Sequence, residues 1–184
     1  MRYPTKGFIA VAVVVFGALT SCAPPPPKPE AAVLRETSPP WPAPRDAVSY
    51  IEKAGMPKLP WQYKPADHFK TQLIVYVDGD PVTVPPGIGV DRVRGLQAPI
   101  HTHDESGQIW VEPEEPGTFT LGQFFDLWGV RFTKDCLGNL CAGNGKRVAV
   151  YVDHQPFGGD PRQIELKAQR RIVVSYESAA APAG

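Results

Sequence analysis

Twelve of the 22 prolines in this 184-residue chain fall between residues 23 and 65, beginning with Pro24-Pro25-Pro26-Pro27. Proline locks φ and removes a backbone donor, so such a tract favours extended polyproline II over a hydrogen-bonded core. Residues 22–65 are therefore predicted to form a semi-rigid stalk. A short helix around Asp46 to Lys53 interrupts it, with Asp46 as cap and Val48 and Ile51 as its apolar positions. The fold must then come from residues 66–177, with 178–184 as a disordered tail. That length suffices for one domain with a real core.

Ahead of the prolines, Arg2 and Lys6 precede a 12-residue apolar run, Phe8 to Leu19. As a helix it rises only about 18 Å against a hydrocarbon core of roughly 30 Å, so it reads as an export signal and not a membrane span. Leu19-Thr20-Ser21-Cys22 resembles the lipobox of bacterial lipoproteins. The resemblance implies removal of residues 1–21 and acylation of Cys22 by palmitate-type chains. The mature protein is then left as a lipid-anchored, extracytoplasmic component of the cell envelope. Ordinary secretion with an incidental cysteine, or an uncleaved anchor helix, are the competing readings.

The chain carries 19 basic and 19 acidic residues; without Arg2 and Lys6 the balance is −2. No basic patch or stripe marks a nucleic-acid partner. With Cys22 assigned to lipid, Cys136 and Cys141 remain as an even pair in an oxidising compartment. They are predicted to form a disulfide contributing about 2 kcal/mol by loop entropy. A redox-active pair or half of a metal site are the alternatives, although no thioredoxin-like pattern surrounds them.

The globular segment reads as α+β, a small mixed β-sheet with one packed helix. Leu73, Val75 and Val77 alternate before the hairpin signal Asp78-Gly79 and the segment Val82 to Val84. Val148-Ala-Val-Tyr-Val-Asp153 echoes Leu73-Ile-Val-Tyr-Val-Asp78, and Pro156 echoes Pro81. This fits either a duplication or two hairpins with equivalent turns. Further strands are predicted at Gln108 to Glu112 and Arg171 to Tyr176. Thr120 and Gln123 form a capping-box pattern, flanked by Phe119 and Phe124 as a staple. Leu121, Phe124, Phe125 and Trp128 then fall on one stripe, and Gly129 closes the helix. So short a helix must pack on a sheet. The helix and the last two strands are similar to those of β-grasp domains.

The feature with most chemical potential is His101-Thr102-His103. In an extended segment, residues two apart share a face, so both imidazoles point the same way and can chelate copper or zinc. His68, Asp104 or Glu105 are the candidates to complete the sphere. The bland reading is a polar loop whose histidines face solvent or bond to backbone.

The blocks His101-Thr-His-Asp…Ser106-Gly107…Ile109…Val111-Glu112 and Thr118 to Gly129, with Val75 to Gly89, resemble a family of uncharacterised bacterial exported proteins. The resemblance spans about residues 66–177 and implies a shared fold more than a reaction. Members carry a His-x-His before the first strand, where this chain has His68-Phe69-Lys70. A cupin motif is rejected because the acids after His103 are adjacent at 104 and 105, and Glu112 is too far along the chain. Ser106 lacks a Gly-x-Ser-x-Gly elbow, and the glycines at 87, 89, 143, 145, 158 and 159 show no phosphate-loop spacing. Glu112, Glu114 and Glu115 read as a solvated strand end, and Asp153-His154 as a turn. No residue is assigned a catalytic role. The sequence reads as a membrane-tethered binding or accessory module, binding copper or zinc through His68, His101 and His103. A purely structural or protein-interaction envelope domain is the alternative.

Overall fold

The computed structural model describes Met1 and residues 32–179. The predicted signal peptide, the Cys22 acylation site, the Pro24–Pro27 run and residues 180–184 lie outside the described residues. In chain order the elements are α1 (Ala47–Lys53), β1 (Leu59–Pro60), β2 (Phe69–Val77), β3 (Asp80–Val82), β4 (Val90–Asp91), β5 (Leu96–Gln97), β6 (Ile100–His101), β7 (Gln108–Val111), α2 (Leu121–Trp128), β8 (Cys136–Leu137), β9 (Leu140–Cys141), β10 (Lys146–Val152), β11 (Gln155–Pro156) and β12 (Arg171–Ser178).

The domain is α+β. Its main sheet runs β11-β10-β12-β2-β7-β6, with β3 paired to β2. β12 lies parallel to β2, and every other pair in the sheet is antiparallel. The first long strand and the last therefore sit side by side at the centre, with α2 falling between them in the chain. The sheet is mixed and carries a packed helix, as expected for the α+β class. The sequence echo marks two equivalent hairpins flanking β12. Tyr76 pairs with Pro81 as Tyr151 pairs with Pro156. Asp78 and Gly79 have φ of 53° and 90°, and Asp153 and His154 have 49° and 70°. Positive φ at both central positions is the type I′ hairpin turn, so Asp153-His154 is turn chemistry.

The capping box forms as predicted. Gln123 N–H donates to Thr120 Oγ1, and Thr120 N–H donates to Gln123 Oε1. Gly129 ends the helix with φ 69°. All four stripe residues are fully buried against sheet residues such as Leu73, Val75, Ile109 and Val174. Leu127, off that stripe, is buried too. The helix is covered on a second side, by segments the sequence assigned to a stalk.

The stalk boundary at residue 65 needs correction. Trp41, Ile51, Ala54, Met56 and Leu59 are buried, and the first four belong to the same core cluster as α2. Trp41 meets Trp128 edge to face at 5.9 Å, and Trp128 Nε1 donates to the Trp41 carbonyl at 2.8 Å. Arg35 N–H bonds the Gly129 carbonyl and Arg131 N–H bonds the Arg35 carbonyl, so the segment joins the domain as a short parallel bridge. Proline limits main-chain donors, but it does not stop the intervening side chains from being buried. Arg94 ties α1 to the small β1-β5-β4 sheet through Asp91 at 2.6 Å and Asp46 at 3.4 Å. The domain therefore begins before residue 66, and it contains two packed helices, not one. At the other end β12 runs one residue past the predicted limit, to Ser178.

Cys136 and Cys141 are bonded across the β8–β9 hairpin. The hairpin loop needs glycine at 138, where φ is 61° and a Cβ would lie 2.4 Å from the Thr37 carbonyl. That close approach seats the hairpin on the Thr37–Trp41 segment.

Candidate metal centre

The site is built on the β6–β7 hairpin, whose register sets Ile100 opposite Val111 and His101 opposite Trp110. His101 and His103 flank Thr102, a buried residue pinned by its own polar groups. Thr102 Oγ1 donates to the Pro85 carbonyl at 2.7 Å and accepts from Ile88 N–H at 3.0 Å. With Thr102 fixed on the other side, both imidazoles turn to one place. Glu112 is two residues beyond Trp110, so its side chain falls diagonally across from His101 on the same face. Its backbone N–H is held by the Pro99 carbonyl at 2.7 Å, and its carbonyl accepts from Tyr63 OH. The turn between the strands requires Gly107, where φ is 75° and a Cβ would lie 2.3 Å from the Leu73 carbonyl.

The ligand atoms of His101, His103 and Glu112 all lie within 4.8 Å of one another. His101 Nε2 is 3.1 Å from His103 Nε2 and 3.5 Å from Glu112 Oε2. Two ligands bound tetrahedrally at about 2.0–2.1 Å from a common ion stand about 3.3 Å apart, which these separations bracket. The His103 and Glu112 ligand atoms lie within 4.8 Å of each other, so reaching the tetrahedral spacing takes a movement of at most about 1.5 Å, and His103 is the exposed member of the group.

The protonation pattern points the same way. His101 Nδ1–H donates to the Ala98 carbonyl at 3.0 Å, which leaves Nε2 as the lone-pair nitrogen of the neutral ring. A hydrogen bond from the outer ring nitrogen to a carbonyl is the usual orienting contact of metal-bound histidine. His101 is completely buried, and burial pushes its pKa down from 6.5 to about 4. The neighbouring His103 adds to that shift, and the bond to Ala98 opposes it. The ring is therefore neutral at pH 7, so its contact with Glu112 is not an ion pair. Two electron-pair donors, His101 Nε2 and the Glu112 carboxylate, face each other. His103 meets Trp110 edge to face at 4.8 Å between centroids, and Lys70 Nζ lies 3.7 Å from the centroid of the same Trp110 ring.

Protonation of His101 should weaken the ion-free fold. The unfolded chain takes up this proton near 6.5 and the folded chain near 4, so the unfolded state binds more protons between those values. Stability is complete above 6.5 and falls as pH drops towards 4, by up to about 3 kcal/mol at about 1.4 kcal/mol per pH unit. Urea midpoints measured against pH in the presence of a chelator check this, and a His101→Asn variant should lack that part of the slope.

Three expected ligands are placed elsewhere. His68 is exposed on the strand edge before β2 and is not in the converging group. Asp104 serves the turn: its Oδ1 accepts from both Ser106 N–H and Ser106 Oγ–H. Those bonds hold its carboxyl below the usual range. Glu105, like Asp104, stays outside the group. The third donor is Glu112, which from sequence alone belongs to a solvated strand end with Glu114 and Glu115. Pairing 101 and 103 with 110 and 112 across a Gly107 turn was the signal that could have found it. Neither cysteine joins a ligand group among the described residues.

Comparison with known proteins returns no match: no family model fits the chain, and no curated protein or solved structure matches it.

Proposed function

We propose that this protein is a membrane-tethered, extracytoplasmic binding or accessory module that takes up copper or zinc through His101, His103 and Glu112. The observation that carries the reading is the convergence of a buried neutral imidazole, a second imidazole and a carboxylate on one point. Nitrogen and carboxylate donors without thiolate or thioether suit zinc(II) and copper(II). Three protein ligands leave a further coordination position for water or a partner's donor. Such a site fits storage, sensing or delivery of the ion. The tether rests on Leu19-Thr20-Ser21-Cys22, which supports acylation of Cys22 and an envelope location.

Metal analysis of untagged protein tests the site. Stoichiometric zinc or copper is expected, and a His101→Ala/His103→Ala variant should lose it. Glu112→Gln should weaken zinc binding by about tenfold or more, the scale on which altering a supporting contact already acts. No bound metal, together with a melting temperature unmoved by either ion, would leave the structural or protein-interaction domain as the better reading. Mass spectrometry of native material tests the tether through a diacylglycerol-modified Cys22.

A further inference from the structure

Among the described residues, the main sheet carries an unpaired stretch at its β10 edge. β11 covers only Tyr151 and Val152. The main-chain groups of even-numbered residues point away from β12: Lys146 bonds Gly143 in both directions, and the Val150 carbonyl accepts from Phe157 N–H. By the alternation of an antiparallel ladder, Val148 N–H, Val148 C=O and Val150 N–H face the same way. None of the three has a partner among the described residues. They form the floor of a groove of about 190 Å³, walled by Lys134 and Ala142 of the disulfide hairpin and by the exposed Phe157. That volume is below the roughly 300 Å³ at which small-molecule pockets begin, and it suits a short length of extended backbone.

We propose that this groove binds an extended peptide segment of a partner protein, which pairs with Val148 as an added antiparallel strand. Both sides of the floor are walled, so a free strand can reach it where the broad edge of another folded sheet would strike the walls. The residue opposite Val148 should be apolar, because Val148 leans on the core and its partner shares that face. The next residue lies opposite Arg147, which already pairs with Glu177 at 2.8 Å; Lys134 and Asp135 both line the groove, so an acid at this position gains from Lys134 alone, and modestly. The proposal is independent of the metal site, which lies at the far end of the sheet on β6 and β7.

The test is amide hydrogen exchange of the protein with the peptide Ac-Thr-Val-Val-Asp-Thr-NH₂. Without peptide, the Val148 and Val150 amides should exchange quickly while those of Arg147 and Ala149, bonded to β12, are protected. Saturating peptide should slow the first two by about tenfold or more. The same peptide N-methylated at its central valine should have no effect, and Lys134→Glu, a change at an exposed side chain, should weaken binding about threefold. Amides that stay fast with peptide, or an N-methylated peptide that works equally well, would overturn the proposal. Protection rising with protein concentration alone would replace the peptide with a second copy of this chain.

Discussion

A chain beginning at residue 66 will not fold, whereas one beginning at residue 32 will. The shorter chain retains both long central strands, α2 and the disulfide, and by its proline content the missing segment resembles a dispensable spacer. Yet the deletion strips Trp41, Val48, Ile51, Met56 and Leu59 from the interior. At about 1.5–3 kcal/mol for each buried apolar side chain, their loss is on the order of 10 kcal/mol, comparable with the whole stability of a domain. It also uncovers the side of α2 that carries Leu127 and leaves the Trp128 indole N–H without its acceptor. Near-ultraviolet circular dichroism and amide dispersion compare the two chains directly. A well-dispersed spectrum from the 66–179 chain would return residues 32–65 to the role of stalk.

Trp128→Ala should cost about 3–5 kcal/mol, the range for removing a large aromatic from a core. Trp128 is fully buried, meets Trp41 edge to face and Phe124 and Phe125 at a tilt, and holds the Trp41 carbonyl. It thus joins the helix to the proline-rich segment, and its removal loosens both. Trp128→Phe keeps most of the apolar contact but orphans the carbonyl, so it should cost less, about 1–3 kcal/mol. Urea unfolding of the two variants separates packing from the hydrogen bond. A loss below about 1 kcal/mol for the alanine variant would mean that the Trp41–Trp128 junction contributes little.

What could be read from the chain divides by distance along it. The α2 boundaries were legible because Thr120, Gln123 and Gly129 act through bonds within one or two turns. The Asp78-Gly79 turn and its echo at Asp153 were legible for the same reason. The pairing of Cys136 with Cys141 also spans a short loop. The core assignment of Leu121, Phe124, Phe125 and Trp128 held because the stripe is a local periodicity, and its partners had only to exist. Trp41, Ile51 and Leu59 were misplaced because proline content describes backbone preference and says nothing about which side chains another element will cover.

The candidate site was half legible. His101 and His103 face one way, as spacing alone implied, although the strand ends at His101 and Thr102 does the aligning. The choice among carboxylates was not local. Asp104 is nearest in sequence and is consumed by Ser106, while Glu112 arrives from the next strand.

The amino-acid order by itself determined the helix and its caps, the left-handed hairpin turns, the α+β class and a pair of imidazoles facing the same way. Each follows from torsional preferences and hydrogen bonds that operate over a few residues. Tertiary structure decided that the proline-rich segment belongs to the core, and that Glu112 joins the imidazoles in place of His68. It also decided that, among the described residues, no strand pairs with Val148 on its outer side. Those outcomes depend on cross-strand register and on burial between residues far apart in the chain, which short-range preferences do not encode.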